Sequence, residues 1–182
     1  MTCFSLSVAN YALDYIRRWR HTRGYGVHSP LAFRIVKECI RPDRRYGFYC
    51  DPYLDFEYHE DRRGLRRARL VIRLLNLLRP AHVWMPDADK RTVEAIRMIM
   101  PTMRVATQKE CPKTTDFIIC SDCSDTASLW KRIDSQKECG MLVFGKHSDC
   151  PDNDVSLEID GKEFHILLRR IGMQKQYYEV TS

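Results

Sequence analysis

A chain of 182 residues, 44% hydrophobic and 30% charged, is long enough for one substantial core and short for two complete domains. These proportions exclude a disordered or fibrous polymer. No apolar run approaches the roughly 18 residues that span a bilayer, and the opening MTCFSLSVANYALDYIRR lacks the basic start and unbroken apolar core of a secretory signal, so a cytoplasmic chain with no membrane partner is expected. The net charge of +6 is uneven: residues 1–80 hold 16 Lys or Arg against 8 Asp or Glu, and residues 81–182 hold 14 against 16, which marks the first part as an anion-binding face or a solvated surface complementing the acidic part.

Leu6, Leu13, Ile16 and Trp19 fall near one helical face, which predicts an amphipathic helix whose last turn, with Arg17, Arg18 and Arg20, suits the negative end of the helix dipole. The turn at Gly24 and Gly26 ends it. In the string GYGVHSP, Ser29 is a suitable N-cap and Pro30 suits the first helical position, so a second helix with a stripe of Leu31, Ile35, Val36, Cys39 and Ile40 is predicted. His28 stands just before it, either as part of the capped turn or facing a ligand. Residues 41–61 read as an ordered loop with one helical turn, packed by aromatic rings from Tyr46 to Tyr58. It either covers one end of the core or forms a lid over a substrate.

The strongest helical pattern runs from Asp61 to Leu78, with Leu70, Leu74, Leu77 and Leu78 on one face. Arg62, Arg66, Arg69 and Arg73 follow at spacings of four, three and four and line another face, broadened by Arg63 and Arg67. Such a row suits phosphate or nucleic-acid contact, although no aromatic residues alternate with it as they do in single-strand binders.

Residues 79–101 (RPAHVWMPDADKRTVEAIRMIMP) give a strand at His82–Met85, a polar turn at Pro86–Lys90, and a helix carrying Val93, Ile96, Ile99 and Met100. In an open α/β sheet that turn lies where a nucleotide-like ligand binds, yet it contains no glycine. Met103–Gln108 is a short strand. Asp116–Asp122 is a strand buried on both faces, as parallel strands are, followed by a helix over Ala127–Ser135 and a strand at Met141–Phe144. Val155, Leu157 and Ile159, the Asp160-Gly161 turn, and Phe164, Ile166 and Leu168 make a β-hairpin. Of the eight cysteines, Cys120 and Cys123 form C-x-x-C. Cys139 and Cys150 are too widely spaced to complete a zinc knuckle, so reduced thiols and no metal site are expected.

This layout of an α/β sheet, mostly parallel with a C-terminal antiparallel hairpin and preceded by an N-terminal helical region, resembles the class I S-adenosylmethionine-dependent methyltransferases. It is similar above all to a bacterial subgroup that opens with a helical region containing a GVHSP-type string. The resemblance implies a reduced Rossmann-like sheet over residues 81–182 with residues 1–80 packed on it as one folded unit. In the family, the first strand ends in an acidic residue and a glycine-rich turn, where this chain has Met85, Pro86, Asp87, Ala88, Asp89, Lys90 and Arg91. By position, Asp87 and Asp89 are implied as cofactor contacts, Glu110 as the ribose contact after the second strand, and Asp122 as the acidic residue near the transferred methyl group. The family's third strand has no counterpart, since only Lys109–Thr115 separates its neighbours.

Three functions follow as expectations. The favoured one is a methyltransferase-fold protein with a degenerate S-adenosylmethionine site and a non-catalytic binding role, partnered by a protein or a second copy of itself. The alternatives are an active small-molecule methyltransferase using Asp87, Glu110 and Asp122, and an anion or nucleic-acid binder using Arg62, Arg66, Arg69 and Arg73.

Overall fold

The computed structural model describes residues 15–24, 26–41, 51–121, 126–133, 138–145 and 154–181. Seven strands form one sheet: β1 (His82–Trp84), β2 (Arg104–Ala106), β3 (Phe117–Ser121), β4 (Cys139–Phe144), β5 (Leu157–Gly161), β6 (Phe164–Arg169) and β7 (Gln176–Val180). Their spatial order is β2-β1-β3-β4-β6-β5-β7. The pairs β1–β2, β1–β3, β3–β4 and β5–β7 are parallel, whereas β6 runs against both β4 and β5. The hairpin β5–β6 is therefore folded back into the sheet, which leaves β6 as the single reversed strand. Residues 107–116 lead from β2 to β3 without a further strand, as their short spacing implied.

The helices are α1 (15–22), α2 (Pro30–Arg34), which continues as a π-helix (Ile35–Ile40), α3 (Asp51–Glu57), α4 (Arg62–Leu78), α5 (Lys90–Ile99) and α6 (Thr126–Lys131). The starts of α2, α4 and α5 have local causes. Ser29 Oγ accepts from Ala32 N at 3.3 Å with Pro30 in the first turn, Asp61 Oδ1 accepts from Gly64 N at 2.7 Å, and Asp89 Oδ1 accepts from Arg91 N at 3.0 Å. Alternating strand residues separate two cores. Val83, Ile119, Leu142 and Ile166 face α4, α5 and the π-helix, while Trp84, Ile118, Met141 and Leu167 face Trp130 of α6. Residues from both halves of the chain share the first core.

Five expectations need correction. The hairpin turn expected at Asp160-Gly161 falls at Lys162 and Glu163, because Asp160 and Gly161 pair within β5. Residues 51–57, assigned to a loop with one turn, form two turns of helix; residues 42–50 lie outside the described set. The chain adds β7 after the hairpin. β6 does not alternate buried with exposed residues: all six are buried, because strands flank it on both sides and both its faces are covered. Its His165 is buried and Nε2 donates to Glu158 Oε1 at 2.9 Å. Finally, the described part of the first helix turns its apolar side outward, with Tyr15, Ile16 and Trp19 exposed; Leu6 and Leu13 fall outside the described residues. Polar contacts hold that helix on β7, the edge strand. Thr22 Oγ1 accepts from Thr181 N at 2.7 Å, His21 Nδ1 lies 3.1 Å from Glu179 O, and Arg18 pairs with Glu179 at 3.3 Å. Backbone groups along an open sheet edge need partners, and here a helix supplies them.

Candidate functional site

β1 pairs with β2 on one side and β3 on the other, so the direction of strand succession reverses at β1. In α/β sheets the carboxyl ends of such strands frame a ligand crevice. A cavity of ≈ 250 Å³ opens at that place, between the turn after β1, the end of β3 at Ser121, Tyr58 and the first turns of α4. Its chemistry depends on how the turn spends its polar groups. Met85 N donates to Ala106 O at 2.8 Å and Ala88 N to Met85 O at 3.3 Å, while Pro86 has no N–H to offer. No residue of the turn has a positive φ, so the absence of glycine costs no backbone strain. Met85 is buried, and Ala88 packs on the same core.

The start of α5, which would otherwise attract an anion, is satisfied from within. Asp89 caps it and is held by Arg91, whose Nε lies 3.0 Å from Oδ1 and Nη2 2.6 Å from Oδ2. Arg91 Nη1 also donates to Glu57 O at 2.9 Å, and its guanidinium lies 3.9 Å from the centroid of the Tyr58 ring. Tyr58 hydroxyl and Thr92 Oγ1 are 2.8 Å apart, and burial pushes the phenol up to about 12. The hydrogen bond from Arg91 holds the Asp89 carboxyl below its ordinary value. At the other end of the cavity Gly64 is required: a Cβ there would stand 2.2 Å from Asp61 Oδ2 and 2.8 Å from Tyr58 Cδ1, disturbing both the cap of α4 and the cavity wall.

Two of the implied cofactor contacts, Asp87 and Asp89, thus line one cavity. Asp87 is exposed, whereas Asp89 is already engaged by its own chain. Glu110 is exposed in the loop between β2 and β3 and does not line this cavity. Asp122 lies outside the described residues. Trp84 faces the opposite core and donates from Nε1 to Gln108 O at 2.8 Å, so it does not fill the crevice. Tyr58, Gly64 and Ser121 were not singled out as site residues from sequence. For Tyr58 the available signal was its place in an aromatic segment proposed to cover the sheet.

A second cavity, ≈ 390 Å³, lies on the other flank of α4, between that helix, the π-helix and the β5–β6 turn. Arg66, Arg67, Arg69, Arg73 and Lys162 line it, with Glu163 as the one carboxylate. Arg62, the fourth member of the expected row, does not line it. Arg69 is neutralised by Asp55 at 2.8 Å and Asp51 at 3.5 Å, and Glu163 faces Arg63 at 3.7 Å. Burial, then the neighbouring Arg69 guanidinium, holds Arg73 below the usual arginine value. No protein-family model, curated protein or solved structure matches this chain. The chemistry of both cavities is therefore argued from their own residues.

Of the other candidates, Cys39 borders the second cavity and Cys120 the first. His28 is exposed and lines neither one. Among the described residues Cys39, Cys111, Cys120 and Cys139 form no disulfide, and burial pushes Cys39 up to about 12, which leaves it protonated and unreactive at neutral pH. Cys123 and Cys150 fall outside the described residues. Among the described residues no three side chains are grouped as metal ligands, and no helix is long and apolar enough to cross a membrane.

Proposed function

We propose that this chain is a methyltransferase-type α/β protein whose S-adenosylmethionine site is degenerate and which acts by binding rather than by methyl transfer. The sequence resemblance supplies the family, and a parallel sheet with one reversed strand near its end is consistent with it. The observation that carries the functional part is the self-satisfied turn after β1. A carboxylate of this chain occupies the start of α5, a proline replaces a donor, and two further N–H groups bond within the chain or to β2. The cavity of ≈ 250 Å³ is also smaller than the roughly 300–1,000 Å³ typical of ligand pockets. Asp87 would in addition repel a cofactor's carboxylate.

Calorimetric titration with S-adenosylmethionine, and with its demethylated product, tests this reading. No heat of binding is expected up to about millimolar ligand. Micromolar binding, or transfer of a labelled methyl group to any acceptor in a lysate, would overturn it.

A further inference from the structure

We propose that the cavity between α4 and the β5–β6 turn binds a small phosphorylated compound carrying at least two negative charges, an organic phosphate or diphosphate. This inference concerns a site separate from the crevice at β1 and does not depend on whether that crevice holds a cofactor.

The first support is charge balance. Among the described residues Arg66, Arg67, Arg73 and Lys162 form no ion pair within 4 Å, Asp51 acting on Arg73 only from a longer distance, and the single carboxylate lining the cavity already faces Arg63. Several like charges around one concave space raise the energy of the unliganded protein, and a dianion placed there relieves that repulsion. The second is unspent hydrogen-bonding capacity: Arg67 Nε and Arg73 Nε are buried and meet no acceptor. A buried donor without a partner costs stability unless a ligand supplies the acceptor, and the planar guanidinium fork matches phosphate oxygens. The third is shape. At ≈ 390 Å³ the cavity lies within the roughly 300–1,000 Å³ range of ligand pockets, and Ile40, Leu70 and Phe164 give it an apolar part for the organic portion. Its wall also includes the π-helix, an irregularity found often at functional sites.

The same observations favour a small molecule over a nucleic acid. A polynucleotide needs a continuous basic track, whereas this row is interrupted at Arg69 by Asp51 and Asp55, and Arg62 lies outside the cavity.

Calorimetry and thermal unfolding of the full chain with pyrophosphate, adenosine diphosphate and a short single-stranded oligonucleotide test the proposal. Pyrophosphate or the nucleotide should bind and raise Tm. Arg73→Leu should lower that affinity about 10- to 100-fold, as loss of a charged hydrogen bond does, and remove the ligand-dependent rise in Tm. The unliganded Arg73→Leu protein should be at least as stable as wild type, since a half-buried guanidinium with no ion pair has gone; an arginine retained for structure alone would give the opposite. Arg66→Gln, at an exposed position, should weaken binding while leaving folding intact, and Arg104→Gln on the far edge strand should change nothing. Absence of any anion-dependent rise in wild-type Tm would overturn the proposal. So would affinity unchanged in both Arg73→Leu and Arg66→Gln, or an oligonucleotide that binds more tightly than either small anion. Heat from S-adenosylmethionine would count against the degenerate-site reading and leave this result untouched.

Discussion

The two cavities share one helix, one arginine and one phenylalanine, and they differ in how their charges are settled. On the β1 side, Asp89 is bound by Arg91 and by the start of α5, and Tyr58 is bound to Thr92, so the polar groups around the start of α5 are paired within the chain. On the β5–β6 side, Arg73 Nε is buried without an acceptor, as is Nε of the shared Arg67, and the net charge is uncompensated. The comparison separates position from readiness. The crevice at the strand reversal has the address of a binding site, but its residues serve mainly to hold α3, α4 and α5 to the sheet. The flank of α4 has no such address and yet retains the unsatisfied groups that a ligand would satisfy.

Phe144 is the wall between them. It lines both cavities, is buried, and lies with its ring centroid 5.1 Å from the Arg67 guanidinium. Phe144→Ala should therefore have the largest effect, joining the two spaces and destabilising the protein by about 3 kcal/mol, near the lower end for Phe truncations because part of the ring already borders open volume. Urea unfolding measures this. A loss under about 1 kcal/mol would mean that the surroundings collapse onto the gap and that the ring does not partition the cavities.

Much of the frame was legible because local signals dictated it. Ser29 stands as a cap before an apolar stripe, and the two runs around Asp160-Gly161 do form a hairpin, although its turn falls two residues later, at Lys162 and Glu163. β7 was not legible. Its five residues carry two adjacent tyrosines that break the alternation, and its strand character comes from pairing with β5. The sites were harder still, since their walls are set by strand order. Tyr58, Ser121 and Phe144 are far apart in sequence and meet only once β3 and β4 lie beside β1. For the arginine row, periodicity gave a shared face. It could not give the acidic neighbours Asp51 and Asp55 that pair with Arg69 and leave Arg73 with no ion pair within 4 Å.

Tyr58→Phe tests the completeness of the β1-side wall. The ring and its contact with Arg91 are kept, and only the hydroxyl bonded to Thr92 is lost, so the expected destabilisation is about 1 kcal/mol. A spectrophotometric titration of the wild-type tyrosines should include one phenol ionising at about 12, absent from the variant, in keeping with its burial. If Tyr58→Phe leaves the urea midpoint unchanged, the hydroxyl pair contributes nothing and the wall is held by packing alone.

The smallest effect is expected from the charge of Arg91, and the pH dependence of Arg91→Gln separates it from packing. The Asp89 carboxyl is held below its ordinary value first by the hydrogen bond from Arg91, with a further contribution from the Arg91 backbone N–H that the variant keeps. A carboxyl whose value is depressed on folding contributes stability at pH above its unfolded value of about 3.9, and that contribution is lost as pH falls through the lower folded value. The Arg91 and Asp89 side chains are 34% and 39% exposed, so solvent screening keeps the charge share below about 1 kcal/mol. The gap between wild type and Arg91→Gln should be widest near neutral pH and narrow in acid. What persists in acid comes from the bond to Glu57 O and the contact with the Tyr58 ring, neither of which depends on the Asp89 charge. Carboxyl-carbon NMR should show Asp89 titrating at higher pH in the variant. A stability gap independent of pH, with Asp89 titrating as in wild type, would mean that Arg91 acts there only as a packed side chain.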